Sequence, residues 1–319
     1  MTRSLAPVAL FAYARPDHLE QTLTALSAAE GARDTSVWIF SDGPKNAAAE
    51  GQVAAVRSIL AESRWQQDFA QVTIIASEKN KGLARSIVEG VSRVIDQHGT
   101  VIVLEDDLLV APDFLRFMNS ALERHEHTTE VGSVTGYCPI AQPPADYPHD
   151  VYAVPRSCSH SWATWRDRWE TVDWSGRDAP RLWQDRALRR RFMATGSDKL
   201  DRLGRQLAGR IDSWSIMFNL WHVINDRVAL YPVRNLVQNI GFDGSGTHTG
   251  AHDRMHTALA PSGSALDPAL PPEDPRVLAS FHKIYSGSLP GQLRRFLRNW
   301  RMPASIRSLN IKERHTHGE

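Results

Sequence analysis

Short apolar runs alternate with helix-patterned stretches through the first 137 residues, and that alternation leaves the chain few folds. Val8 to Tyr13 reads as a strand, followed by a helix over Asp17 to Leu26 with Asp17 near its cap. Val37 to Phe40 predicts a second strand that ends in Ser41-Asp42-Gly43-Pro44, and Ala47 to Glu62 is helical by composition. Val72 to Ala76 predicts a third strand. Leu83, Ile87, Val91, Val94 and Ile95 then fall at helical spacing, before a strand over Thr100 to Leu104 and a helix over Phe114 to Leu122. Strands and helices in strict succession imply a parallel sheet with helices on both faces. Ligands of such sheets bind outside the carboxyl ends of the strands. Three of those ends carry polar or charged loops here: Tyr13-Ala14-Arg15, Ser41-Asp42-Gly43 and Glu105-Asp106-Asp107.

The third end is the most informative. Thr100 to Leu104 is a run without polar alternation, as expected of a strand buried on both faces, and it stops at three carboxylates. Adjacent acids repel one another unless a cation or solvent compensates them. The triplet therefore reads in two ways. It is a strand end whose acids are solvated or cap the next helix, or it is a site for Mg²⁺ or Mn²⁺, which prefer hard oxygen ligands. The convergence of three polar strand ends favours the second.

The chain has 319 residues, enough for one large α/β domain or two smaller ones. Lys and Arg number 37 against 36 Asp and Glu, so the net charge of +1 points to no polyanionic partner such as nucleic acid. Two cysteines, Cys138 and Cys158, form neither a disulfide framework nor a zinc set and suit a reducing compartment. No run is long enough to span a bilayer. The apolar stretch from Ala6 to Ala14 is short, contains Pro7 and runs into Arg15-Pro16-Asp17, so it reads as the first strand rather than a secretory leader, and a cytoplasmic location is expected.

After Ile140 the pattern changes. Ala141 to Pro148 is a proline-rich loop, and a tryptophan-rich, more helical region runs from Ser159 to about Asn225. Val228 to Val233 predicts a strand, and a glycine-rich segment follows from Asn239 to His248. Residues 258–276 have the composition of an extended linker.

The order of a first strand, a strand ending in Ser41-Asp42-Gly43, Asn80-Lys81-Gly82-Leu83-Ala84 opening a helix, and Leu104-Glu105-Asp106-Asp107-Leu108 resembles glycosyltransferases of the GT-A fold. With Val110-Ala111-Pro112-Asp113-Phe114 it is similar to the N-acetylglucosaminyltransferase I family, and the Asn-x-Gly-Leu-Ala element is shared with family 2 glycosyltransferases. The resemblance implies an α/β fold with a GT-A-type, mostly parallel twisted sheet flanked by helices, Rossmann-like, with a more helical acceptor-side carboxyl half. It implies that residues 1–137 bind a nucleotide sugar, that 138–257 form the acceptor and catalytic half of the same domain, and that 258–319 are a linker and tail. It implies an inverting transfer of N-acetylglucosamine from a UDP-sugar with Mn²⁺.

Residue by residue, the resemblance assigns metal binding to Asp107, contacts with ribose and donor sugar to Asp106 and Glu105, and a place beside the nucleoside to Asp42. The loop Tyr13 to Arg15 would line the base. Arg85 and Lys81, at the start of a helix, suit a diphosphate, because helix amino termini and basic side chains favour phosphate; surface charge is the plain alternative for both. An inverting transfer needs a base for the acceptor hydroxyl, and the resemblance places it in Arg210-Ile211-Asp212-Ser213-Trp214, at Asp212. The chain has Asp-Ser-Trp where the family often shows two acids before the tryptophan. Asp212 also suits a helix cap ahead of Trp214, Met217, Phe218 and Trp221, and Asp243 is the second candidate base. His248, after Gly244-Ser245-Gly246, is a candidate second metal ligand by the same resemblance; with His252 and His256 close by, an exposed loop residue is the alternative.

Trp162, Trp165 and Trp169 fall at i, i+3 and i+7, which predicts one helical face used for core packing, with one ring available to flank an acceptor. Trp-Ala-Thr-Trp is similar to segments of bacterial polysaccharide glycosyltransferases. From Phe281 to Glu319 there are eight Lys or Arg against two Glu, and Leu293, Phe296, Leu297 and Trp300 form an apolar face. Such a basic amphipathic segment lies on an anionic leaflet or docks on its own domain. The leading reading is a Mn²⁺- or Mg²⁺-dependent inverting glycosyltransferase, at the inner face of the cell membrane, with a saccharide or lipid-linked saccharide acceptor. A sugar nucleotidyltransferase would want a glycine-rich loop after the first strand, which Tyr13-Ala14-Arg15-Pro16-Asp17 is not. A non-catalytic nucleotide-sugar-binding module is the reading from a third class.

Overall fold

The computed structural model of the chain describes residues 5–242, 257–261, 263 and 265–287. Its amino-terminal half alternates as the pattern predicts. The elements are β1 (Val8–Ala12), α1 (Pro16–Ser27), β2 (Ser36–Ser41), α2 (Ala47–Leu60), α3 (Arg64–Asp68), β3 (Gln71–Ala76), α4 (Leu83–His98), β4 (Thr100–Glu105), β5 (Leu108–Val110) and α5 (Phe114–Arg124). The carboxyl half adds β6 (Val131–Val134), β7 (Val151–Val154), β8 (Trp162–Trp165), α6 (Arg166–Trp169), α7 (Arg181–Gln184), α8 (Arg186–Met193), α9 (Lys199–Leu207), α10 (Trp214–Ile224), β9 (Val228–Pro232), β10 (Val237–Asn239) and α11 (Pro275–Ser286).

Eight strands form one sheet in the order β3-β2-β1-β4-β8-β6-β9-β7. The first four are parallel, with β1 between β2 and β4. β8 runs antiparallel to β4 and β6, β9 returns parallel to β6, and β7 closes the edge antiparallel to β9. This is the α/β, GT-A-type sheet flanked by helices, with its parallel order confined mainly to the amino-terminal half. β10 pairs separately with β5, antiparallel, beyond the acidic end of β4.

The central strands show why the apolar runs are unbroken. Val8, Leu10 and Ala12 of β1, with Ile102 and Leu104 of β4, enter a core shared with α1 and α5. Their neighbours Ala9, Phe11, Val101 and Val103 enter a second core with Ile87, Val91, Val94 and Ile95 of α4 and with Trp214, Phe218 and Trp221 of α10. Successive side chains point to opposite faces, so a strand covered twice must be apolar at every position.

The tryptophan triplet departs from its predicted helical face. Trp162 and Trp165 belong to strand β8 and enter the two different cores, while Trp169 on α6 stacks on Trp162 with ring centroids 5.3 Å apart. Pairing of β8 with β4 decides the conformation, because a four-residue apolar run carries no period of its own strong enough to resist it. All three rings are buried, which agrees with packing and leaves none to flank an acceptor.

Residues 258–276, read as a linker from their composition, lie against the domain where they are described. Leu259, Leu266 and Leu270 pack on the first core, and the Pro268 carbonyl accepts from His125 Nε2 at 2.6 Å. α11 follows, with Val277 and Phe281 buried in the same core. Cys138 and Cys158 are buried and unbridged. Among the described residues no helix is long and apolar enough to cross a membrane. Asp243, His248 and the basic tail beyond residue 287 lie outside the described residues.

Candidate active site

β4 ends at Glu105, and the next two acids are held inside the fold rather than left in solvent. The loop after β1 folds across them: the Tyr13 backbone N–H donates to Asp106 Oδ2 at 3.0 Å. Arg15 forks between the two, Nη2 lying 2.5 Å from Asp106 Oδ1 and Nη1 2.9 Å from Asp107 Oδ2. Thr22 of α1 donates its hydroxyl to the Asp106 carbonyl at 2.9 Å, and the Ile240 N–H donates to the Asp107 carbonyl at 2.9 Å. Asp106 and Asp107 are 3% and 7% exposed, so one guanidinium faces two enclosed carboxylates.

That imbalance sets the electrostatics. Burial, then the charges of Asp107 and Asp106, pushes the Glu105 carboxyl up to about 8, against the pull of Arg15. Burial also raises Asp106, although Arg15 and the Tyr13 N–H oppose it. Burial works against the charge of Arg15, and the two aspartates more than restore it. Asp107 Oδ1 is buried and has no hydrogen-bond partner. Leaving such an atom unpaired is costly, and a hard divalent cation is a partner that suits a carboxylate oxygen. Among the described residues no three His, Cys, Asp or Glu side chains converge as a ready-made cage. The fit is therefore to a metal that takes few protein ligands and completes its shell with phosphate and water.

Gly241 explains how closely this site is covered. A Cβ there would lie 2.2 Å from Asp107 Oδ2 and 2.7 Å from Arg15 Nη1. Only hydrogen fits, so the segment after β10 rests its backbone directly on the ion pair.

The second strand end builds a loop. Asp42 Oδ1 accepts from the Gly43 N–H at 2.8 Å and the Lys81 N–H at 2.9 Å, and Oδ2 accepts from the Gly82 N–H and the Asn80 side-chain amide at 3.1 and 3.0 Å. Asp42 thus gathers the Asn80-Lys81-Gly82 turn that opens α4. Tyr13 joins the same corner, its hydroxyl accepting from the Lys45 N–H at 3.0 Å.

Asp212 comes to this turn from the other half of the chain. Its Oδ2 accepts from the Ala84 N–H at 3.2 Å, in the first turn of α4. A Cβ on Gly82, whose φ is 79°, would lie 3.0 Å from that oxygen. The predicted capping role therefore falls on another helix: Asp212 caps α4, while α10 begins after Ser213 with no side-chain cap. The amino terminus of α4 is occupied by carboxylates, Asp42 and Asp212, rather than offered to a phosphate. Arg85 is exposed and bonds Glu89 at 2.6 Å, and Lys81 bonds the other Glu89 oxygen at 2.7 Å. Neither side chain is drawn into the acidic cluster.

One residue at the site escaped the sequence reading. In the register of β8 against β4, Trp162 faces Val103, so His160 lies beside the acidic end of β4. Its Nδ1 is buried with no hydrogen-bond partner, and its ring meets Tyr137 edge-on at 4.9 Å and Phe242 at 6.1 Å. Burial lowers its basicity more than the nearby charge of Asp107 raises it, which favours the neutral ring. Only recognition of Trp162–Trp165 as an antiparallel partner of β4 would have exposed it.

No curated protein matches the chain. Among solved structures, the chain is similar to the mannosyltransferase PcManGT from Pyrobaculum calidifontis, in complex with GDP-Man and Mn²⁺, at 18% identity and a TM-score of 0.33, covering 52% of this chain and 48% of that one. It is also similar to S. aureus TarS 1-349 in complex with UDP-GlcNAc, at 8% identity and a TM-score of 0.37, covering 70% of this chain and 55% of that one. The chain thus spans about half the length of these structures. Residues 8–141, from β1 through the acidic triplet to the segment after β6, match the family model Glycosyl transferase family 2.

Proposed function

We propose that the chain is a metal-dependent inverting glycosyltransferase that moves a sugar from a nucleotide sugar to a hydroxyl of a saccharide or lipid-linked saccharide. The donor is read as UDP-linked and the sugar as N-acetylglucosamine. One observation carries the metal-dependent part: a buried, unpartnered carboxylate oxygen, Asp107 Oδ1, at the carboxyl end of a central parallel strand. The match of residues 8–141 to a glycosyltransferase family supports the reaction class.

In this reading Asp107 holds Mn²⁺ or Mg²⁺, with His248 a further candidate outside the described residues. A bound divalent ion neutralises charge on the departing nucleoside diphosphate. Glu105 and Asp106 meet the ribose and donor sugar. Tyr13 and Arg15 line the base, in the loop that Asp106 fixes. Asp42 shapes the nucleoside corner by gathering residues 80–82, and Arg85 reaches phosphate by leaving Glu89. Asp212 is the base: one oxygen rests on the Ala84 N–H, and the other takes the acceptor hydroxyl proton. The basic amphipathic tail holds the enzyme against an anionic leaflet where a lipid-linked acceptor lies.

The test is a panel of UDP- and GDP-sugars, scored for released nucleoside diphosphate with Mn²⁺, with Mg²⁺ and with chelator. Release from at least one donor, lost on chelation, is expected. No metal-dependent binding or turnover of any donor would overturn the proposal.

A further inference from the structure

Two buried polar atoms without partners lie at the same strand end: Asp107 Oδ1 and His160 Nδ1. The segment after β10 ties them together. Ile240 bonds the Asp107 carbonyl, Gly241 rests against the Asp107 carboxylate, and Phe242 sets its ring against that of His160. The β8–β4 register brings His160 to the same place from the opposite side.

The backbone around His160 is held with care. Ser161 has φ 58°, a left-handed conformation that a residue with a side chain seldom adopts without compensation. Compensation comes from the end of β6. Thr135 donates its hydroxyl to the Ser161 carbonyl at 2.8 Å, and the Gly136 N–H donates to the Ser161 hydroxyl at 3.1 Å. The His160 N–H meets Cys158 Sγ at 3.3 Å. A strained, cross-linked turn thus holds a half-buried imidazole whose Nδ1 is enclosed without a partner.

We infer that His160 is a protein ligand of the same divalent ion as Asp107, and that it makes the site select Mn²⁺ over Mg²⁺. This rests on the metal-dependent reading above. A neutral imidazole presents a nitrogen lone pair, which Mn²⁺ accepts far better than the harder Mg²⁺, whereas carboxylate and phosphate oxygens serve both. Without His160 the described residues at this strand end offer oxygen alone, and the preference falls.

The experiment follows Mn²⁺ directly on the full chain, by the electron paramagnetic resonance of free and bound ion, alone and with UDP or GDP. Spin-echo modulation of bound Mn²⁺ in the wild type should show coupling to a ¹⁴N nucleus that survives H248A and disappears in H160Q. H160Q and H160A should bind Mn²⁺ about tenfold or more weakly, while Mg²⁺ affinity, read by competition, changes little. D107A should lose both ions. Absence of nitrogen coupling in the wild type, its loss in H248A, or wild-type Mn²⁺ affinity in H160Q would each overturn the assignment of His160. If the wild type binds no Mn²⁺ in any arm, or D107A binds it normally, the metal-dependent reading itself fails. A wild-type spectrum without ¹⁴N coupling overturns the assignment with no variant at all, and circular dichroism of H160Q separates loss of a ligand from loss of the fold.

Discussion

Asp212 shows how one side chain can carry two roles that a substitution separates. Its Oδ2 caps α4 through the Ala84 N–H, and its other oxygen is the proposed base. Asn at this position keeps an acceptor for the N–H but takes no proton. D212N should therefore unfold at the same denaturant concentration as the wild type, while transfer falls by about 10²- to 10⁴-fold. D212A should lose transfer and also about 1 kcal/mol of stability, the usual cost of a lost cap. Equal stability loss in both variants with transfer retained would make Asp212 a cap alone. At this scale the sequence was informative where charge met a strand end: Glu105, Asp106, Asp107, Asp42 and Arg15 are all drawn to the mouth of the sheet. It was silent on partners. Nothing in the order of residues says that Arg15 forks between two aspartates or that Asp42 binds backbone amides, because these pairings close over 91 and 39 residues. His160 was hidden for the same reason, since its neighbourhood depends on the register of a strand that the tryptophan spacing disguised.

At the scale of elements, the Asn80-Lys81-Gly82 turn is the joint between the two halves of the site. It orients α4, receives Asp42 from β2 and meets Asp212 ahead of α10. D42A removes the acceptor of several N–H groups at once and should cost about 2 kcal/mol. Amide exchange should locate the damage, with protection lost at Lys81 and Gly82 and retained in β1 and β4. Uniform loss across the sheet would mean that Asp42 supports the whole domain instead. The alternating half of the chain was legible because each strand there is followed by a helix whose 3.6-residue period is long enough to read. β6 to β9 were harder. They are four or five residues long, pair mostly antiparallel and are separated by up to several helices, so no local pattern reveals their order. In the stretch 258–276, Pro, Ser and Ala suggest a spacer, while three leucines at wide intervals pack on the core.

The molecule as a whole holds several polar groups deep in its core, and these make its stability depend on pH. His222 on α10 is fully buried, with Nδ1 at the Phe218 carbonyl and Nε2 at Ser133 Oγ. Burial, with the charges of Lys199 and Arg227, lowers it to about 3, against the Phe218 carbonyl. In the unfolded chain it titrates near 6.5. Between about pH 6.5 and 3 the unfolded chain therefore holds a proton that the folded chain lacks, and stability falls as the pH falls through that window. The slope from this residue is about 1.4 kcal/mol per pH unit. Burial also lowers His125 and His160, which adds to the same trend. H222Q should shallow the slope of unfolding free energy by one proton; an unchanged slope would show that His222 is protonated in the fold. In the proposed reaction, a cation held at Asp107 supports nucleotide-sugar chemistry at the acidic end of β4. Its most direct test compares nucleoside diphosphate release by the wild type and by D107N, a near-isosteric change, in Mn²⁺ and after chelation. Release should stop on chelation and be absent in D107N, with D107N still folded by circular dichroism. Release that persists in chelator, or wild-type release by D107N, would contradict it.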